Sequence, residues 1–196
     1  MKKKVRRLAV LASGNGSTFQ AVIKAIAQNE LDMEISLFIS DNPKSFALVR
    51  AETARINTKV LTSTIARIRD EEMLKALKKA EIDIVLLAHY QQPIGPQVLS
   101  EYTVINSYPS LLPKYGGKSE MQVHEAVLQN NEKETGVTLY FAKDVFDQSH
   151  IIWQTHVPVY TEDCAKDVLE RVCAVEKTQL VSILKAFSEG KIDIPD

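Results

Sequence analysis

Asp83-Ile84-Val85-Leu86-Leu87-Ala88 is the most continuously apolar run in the chain, and its reading decides the fold. An apolar stretch without alternation has to be covered on both faces, which is the position of a central strand in a parallel sheet. The run exits into a polar cluster, His89-Tyr90-Gln91-Gln92-Pro93. Open α/β sheets hold their ligands beyond the carboxyl ends of such strands. Downstream, Pro96 to Glu101 reads as a helix and Thr103-Val104-Ile105 as the next strand. That strand ends in Asn106-Ser107-Tyr108-Pro109-Ser110-Leu111-Leu112-Pro113, where an amide, a hydroxyl and a phenol meet two prolines that stop both sheet and helix. A stiff turn capped by Asn106 would read the same way.

Upstream, Val5 to Ala12 predicts a buried strand, Ser13-Gly14-Asn15-Gly16-Ser17-Thr18 a glycine-rich turn, and Phe19 to Gln28 a helix with Val22, Ile23 and Ile26 on one face. Strand, glycine turn and helix is the unit that binds phosphate: backbone N–H groups approach an anion, and the helix amino end favours negative charge. Ser17 or Thr18 is expected to cap that helix. A tight turn without a ligand fits the same residues. Phe19 stands where a dinucleotide fingerprint needs its third glycine, which sets aside a dinucleotide site with Asp41 as the ribose acid. Glu34 to Ser40 and Lys59 to Leu61 read as strands, Phe46 to Arg55 and Ala66 to Ala80 as helices. The spacing of Arg67 and Arg69 places both on a solvated face. Repeated β-α units imply a Rossmann-like, mostly parallel, doubly wound α/β sheet.

The pattern then changes. Lys114 to Glu120 reads as a loop and Val123 to Leu128 as a short helix carrying His124. Gly136 to Ala142 and Ile151 to Val159 read as an antiparallel strand pair, joined by Lys143 to His150, a long connection bearing Asp144, Asp147 and His150. A final long helix is expected from Thr161, with Glu162 and Asp163 at its positive end and Gly190 as its stop. Glu176 falls on or beside its apolar stripe (Val168, Val172, Val175, Leu180, Ile183, Leu184, Phe187), so this acid needs a partner, either a nearby base or a ligand.

With 196 residues, 45% hydrophobic and 25% charged, the chain suits one soluble α/β domain. A net charge of −1 and a pI near 6.4 give no reason to expect a nucleic-acid partner. No segment reaches the ~20 apolar residues of a membrane span, and the basic start Lys2 to Arg7 precedes a run too short for a signal segment. Cys164 and Cys173 lie nine residues apart in one expected helix, on opposite sides, and are read as unbridged thiols in a reducing, cytoplasmic setting. His89, His124, His150 and His156 are scattered without zinc spacing, so no metal is expected.

Taken in order, Ser13-Gly-Asn-Gly-Ser-Thr-Phe-Gln20, Leu86-Leu-Ala88, Asn106-x-x-Pro109-Ser-Leu-Leu-Pro113, Thr135-Gly-Val-Thr138 and Asp147-x-x-x-Ile151-Ile152-x-Gln154 resemble the phosphoribosylglycinamide formyltransferases, over nearly the whole chain to about Gly190. The resemblance implies the formyltransferase fold as a single domain over 1–196, with 1–102 as its phosphate-binding half and 103–196 as its formyl-transfer and folate half. It implies small-molecule substrates, with 10-formyltetrahydrofolate as co-substrate, glycinamide ribonucleotide as acceptor, and no metal. Carried over by position, Asn106 would donate its amide to the developing oxyanion, Asp147 would orient the catalytic group, and Tyr108 would stand beside them. Gly14, Asn15, Gly16, Ser17 and Thr18 would hold the ribonucleotide phosphate with Arg69, and Glu176 the ribose hydroxyls. Ala88, His89, Tyr90, Gln91, Gln92, Pro93 and Ile94 would wall the folate pocket. The oligomeric state is left open between monomer and homodimer.

The chain departs from the family pattern at several of these positions. Tyr108 replaces the histidine of Asn-x-His-Pro-Ser-Leu-Leu-Pro. A phenol with a pKa near ~10 carries no positive charge where an imidazole near ~6.5 would. His89-Tyr90-Gln91-Gln92 replaces the usual Gly-Phe/Tyr-Met-Arg/Lys, Asp147-Gln148-Ser149 the usual Asp-x-Gly, Thr18 the usual asparagine, and Cys173 a basic or amide residue. The start of a strand at Ile151 argues against His150 swinging in as a substitute imidazole. The alternatives to glycinamide ribonucleotide formylation are a formyltransferase for another amine and an impaired paralogue that binds a phosphorylated ligand or folate.

Overall fold

The computed structural model describes residues 5–143 and 150–192. The elements run β1 (Arg6–Leu11), α1 (Ser17–Ala27), β2 (Met33–Ser40), α2 (Phe46–Thr53), β3 (Thr58–Val60), α3 (Ala66–Lys79), β4 (Ile84–Leu87), α4 (Pro96–Glu101), β5 (Thr103–Tyr108), α5 (Glu120–Gln129), β6 (Glu134–Phe141), β7 (Ile151–Pro158) and α6 (Ala165–Glu189). One seven-stranded sheet carries them in the order β3-β2-β1-β4-β5-β6-β7. β1 to β5 are parallel, and β6 and β7 run antiparallel to their neighbours. The fold expected from the β-α repeats, the late strand pair and the last long helix is the one observed.

Alternation along β1 and β4 explains their place at the centre. Leu8, Val10, Ile84 and Leu86 face a core built with Phe19 and Val22 of α1, Ala47 and Ala51 of α2, and Leu180, Leu184 and Phe187 of α6. Ala9, Leu11, Val85 and Leu87 face the other core, with Met73 and Leu77 of α3 and Val98 and Leu99 of α4. Strands covered on both sides have no polar face to show, hence the unbroken apolar run. After β3 the chain returns to place β4 beside β1, so the sheet reverses its winding direction between them. Their carboxyl ends open the crevice where such sheets take ligands.

Three boundaries differ from expectation for local reasons. Helix α1 starts at Ser17, with Gly16 at the cap in a left-handed conformation (φ 73°) and no side-chain cap. Thr18 is therefore not a cap, and its hydroxyl turns elsewhere. Helix α6 starts at Ala165 rather than Thr161. Asp163 instead closes a turn by accepting the N–H of Tyr160 at 2.7 Å and is clamped by Arg171 at 2.7 and 2.8 Å. Asp167 fills the first turn and accepts the N–H of Cys164 at 2.8 Å. Helix α5 begins earlier than Val123 because Gln122 reaches back to the N–H of Ser119 at 3.0 Å. Among the described residues no helix is long and apolar enough to cross a membrane.

Candidate active site

The crevice is held together by Ser13, at the exit of β1. Its N–H donates to the carbonyl of His89 at 3.3 Å, and its hydroxyl accepts the N–H of Gln91 at 2.8 Å. Past it, the glycine loop leans on α2. The Gly14 carbonyl accepts the hydroxyl of Ser45 at 2.7 Å, and a Cβ on Gly16 would stand 2.5 Å from Cβ of Ala47. Arg50 fixes Asn15 twice, Nε to the carbonyl at 2.9 Å and Nη2 to Oδ1 at 2.8 Å, and reaches Gln20 with Nη1. The first turn of α1 contains no acid. The loop is thus pre-shaped, with a guanidinium at its side and the positive end of a helix beyond it.

Arg69 does something else. Its spacing placed it on a solvated face, yet it is 4% exposed. Its guanidinium donates to the carbonyls of Ser63 and Pro93 at 3.3 and 3.4 Å and to Oε1 of Gln92 at 3.4 Å. It braces the Ala88–Ile94 loop from below, and Arg50 is the guanidinium at the glycine loop. In the same loop Ala88 and Ile94 are buried, while Gln91, Gln92 and Pro93 are exposed. Burial and the charge of Asp41 push the Tyr90 phenol up to about 12.

Glu176 is 3% exposed and receives two donors on one oxygen. Thr18 Oγ1 lies 3.2 Å from Oε2, and His89 Nε2 lies 3.0 Å from the same atom. The second nitrogen of His89 is 3.5 Å from Oε1 of Glu120. Burial alone would lower the pKa of His89, but Glu176 and then Glu120 outweigh it and bring it to about 9, so the ring is an imidazolium at neutral pH. Burial would raise the pKa of Glu176, yet the charge and hydrogen bond of His89 hold it below the usual carboxylate value. Cys173 lies 3.6 Å from Glu120, and burial plus the nearby acids push its thiol up to about 12. Of the two partners the sequence allowed for Glu176, the structure supplies the base.

At the exit of β5, Asn106 is in register with Leu87 on one side and Tyr140 on the other. Its Nδ2 donates to the Tyr140 oxygen at 2.8 Å. Tyr108 turns its hydroxyl into the 115–118 loop. It accepts the N–H of Lys118 at 2.8 Å and shares its hydrogen between the carbonyls of Tyr115 and Lys118, at 2.9 and 2.7 Å. Burial raises its pKa further, so it stays a neutral phenol. Thr138 and Gln154 pin the Ser110-Leu111-Leu112 turn. Thr138 donates to the Ser110 carbonyl at 2.6 Å and accepts the Leu112 N–H at 3.1 Å, and Gln154 donates to the Leu112 carbonyl at 2.9 Å. Asp147 lies outside the described residues. The carbonyl of His150 accepts the N–H of Phe141 at 2.9 Å, as expected where a strand begins.

The sequence did not single out Arg50, Tyr140 or the reach of His89 to Glu176. Arg50 follows Phe46 by one helical turn and reads as surface, and Tyr140 reads as one more strand aromatic. The place of His89 where the family has glycine agrees with its positive φ (62°), but neither tells where the ring goes.

Residues 6–184 match the family described as formyl transferase, and the chain belongs to that family. Within it, the chain is 32% identical to phosphoribosylglycinamide formyltransferase of Escherichia coli (strain K12), a match covering 94% of this chain and 88% of that protein. The solved phosphoribosylglycinamide formyltransferase of Coxiella burnetii superposes with a TM-score of 0.90 at 29% identity, covering 98% of this chain and 92% of that one. Glycinamide ribonucleotide transformylase 1 of Geobacillus kaustophilus gives a TM-score of 0.87 at 30% identity, covering 94% and 99%.

Proposed function

We propose that this chain transfers the formyl group of 10-formyltetrahydrofolate to the amine of glycinamide ribonucleotide. The reading rests most on one observation: the carboxamide of Asn106 stands in register with Leu87, beside the exit of β4 and the Ala88–Ile94 loop. The acceptor amine attacks the formyl carbon, a tetrahedral oxyanion forms, the bond to the folate nitrogen breaks, and the proton of the amine ends on that nitrogen. The new bond is the formamide. Asn106 is assigned to the oxyanion, and Asp147, outside the described residues, keeps the orienting role that the resemblance implies. The helix α1 amino end with Gly14 to Thr18 is assigned to the phosphate, Glu176 to the ribose hydroxyls, and Ala88 to Ile94 to the folate. Such a site works by positioning and by donors placed where charge develops.

The test is 10-formyltetrahydrofolate turnover with glycinamide ribonucleotide for the native chain, Asn106→Ala and Tyr108→His. The native chain should turn over, Asn106→Ala should lose about 10²–10³ in kcat, and Tyr108→His should gain, because an imidazolium then stands at the oxyanion. No turnover by the native chain and the histidine variant alike would end this reading. One observation favours a second: Tyr108 has its only hydrogen, and Asn106 one of its two amide hydrogens, engaged within the protein. On that reading the chain binds the same ligands without transferring the group, and it would show thermal stabilisation by ligand without product.

A further inference from the structure

Among the described residues, His89 stands over the one buried acid of the crevice. Its backbone is left-handed, its ring is about a third exposed, and Glu176 beneath it is nearly closed to solvent. Oε2 of Glu176 is filled by Thr18 and His89, while Oε1 is buried without a well-formed hydrogen bond, with the Ser107 hydroxyl beside the carboxylate. A buried carboxylate oxygen short of donors is set up to accept them, and the His89 ring stands over this one.

We propose that His89 is a plug: its ring occupies the acid that a ribose diol would use, so a ribonucleotide binds only by displacing the ring. The inference builds on the assignment of Glu176 to the ribose. Three features support it. Both ring nitrogens face carboxylates, Glu176 from α6 and Glu120 from α5, which locks the ring in the covering position. A diol that takes the Oε2 side of the acid meets a place already held by two donors, the ring and Thr18. The left-handed backbone at His89 suits glycine, so the position tolerates having no side chain at all. Selection for affinity alone would leave it bare.

The experiment is calorimetric titration of glycinamide ribonucleotide into the native chain, His89→Gly and His89→Asn, from pH 7 to pH 10. Asparagine tolerates the left-handed backbone, lacks the charge, and covers the case in which the glycine variant folds poorly. Both variants should bind roughly tenfold to a hundredfold more tightly at pH 7, the worth of one hydrogen bond to a charged group. Affinity of the native chain should rise as pH passes through about 9 and the ring loses its charge, while both variants stay flat. The charged groups facing the ring are Glu176, Glu120 and Lys177; Cys173 faces Glu120, with its thiol held up near 12. Equal or weaker binding by the variants, or no binding to them at all, overturns the plug. Tighter binding without formyl transfer leaves the plug standing and removes only the transfer reaction.

Discussion

Tyr140 takes the N–H of Asn106 on its oxygen, and a hydroxyl that accepts still has one hydrogen to give. Among the described residues no acceptor takes it. Tyr140→Phe removes that hydrogen and unties the carboxamide, and kcat should fall by about 10- to 100-fold with little change in KM. Steady-state kinetics of the two single variants and the Asn106→Ala/Tyr140→Phe pair would show less than additive losses, since the two side chains act as one unit. At Gly16 the argument is steric. Alanine there meets both a φ of 73° and the Cβ of Ala47 at 2.5 Å. Gly16→Ala should cost about 2–4 kcal/mol in urea unfolding, the left-handed penalty plus a shift of the loop. A cost under about 0.5 kcal/mol would mean that α2 gives way freely.

Helix α5 carries a fault that can be removed. His124 is 0% exposed, and neither ring nitrogen has a hydrogen-bond partner among the described residues. Burial lowers its pKa to about 4. Replacing an unpaired buried polar ring by an apolar side chain of similar bulk is stabilising, and His124→Leu should gain about 1–2 kcal/mol at pH 7 by urea unfolding. An unchanged or lower midpoint would show that the ring has a partner after all. At this scale most of the fold was legible in the sequence. Unbroken apolar runs at β1 and β4, breakers between them and the 3.6-residue stripe of α6 each reflect local burial, which a sequence records directly. Of the candidate site, the sequence offered residue types at strand exits and on α6, as at Asn106, Glu176 and the glycine loop, but not their contacts. Arg69 shows why the rest was not. Helical periodicity gives the direction of a side chain but not the loop from residues far along the chain that later closes over it. His89 and Glu176 are 87 positions apart, and only the closed sheet makes them neighbours.

Over the whole molecule two histidines set opposite limits. His89 has a folded pKa raised to about 9, above the ~6.5 of an unfolded chain, so its contribution is complete below ~6.5 and is lost as pH rises through about 9. His124 is lowered to about 4, so its contribution is complete above ~6.5 and is lost as pH falls toward 4. Both losses are least near pH ~6.5, and the melting temperature should peak there. His89→Asn should flatten the alkaline limb and His124→Leu the acid one in thermal scans from pH 4 to 10. A peak that shifts with neither substitution would assign the dependence to other groups. The 25-residue helix α6 has a consequence of its own for how this molecule is made. Leu180, Leu184 and Phe187 seal the core over β1, and Glu176 supplies the crevice with its buried acid, all from the last helix of the described chain. While the ribosome is still translating that helix, the emerged polypeptide has Phe19 and Val22 uncovered and a crevice without its buried acid. Completion of the crevice and burial of that apolar face therefore wait on the same moment of synthesis.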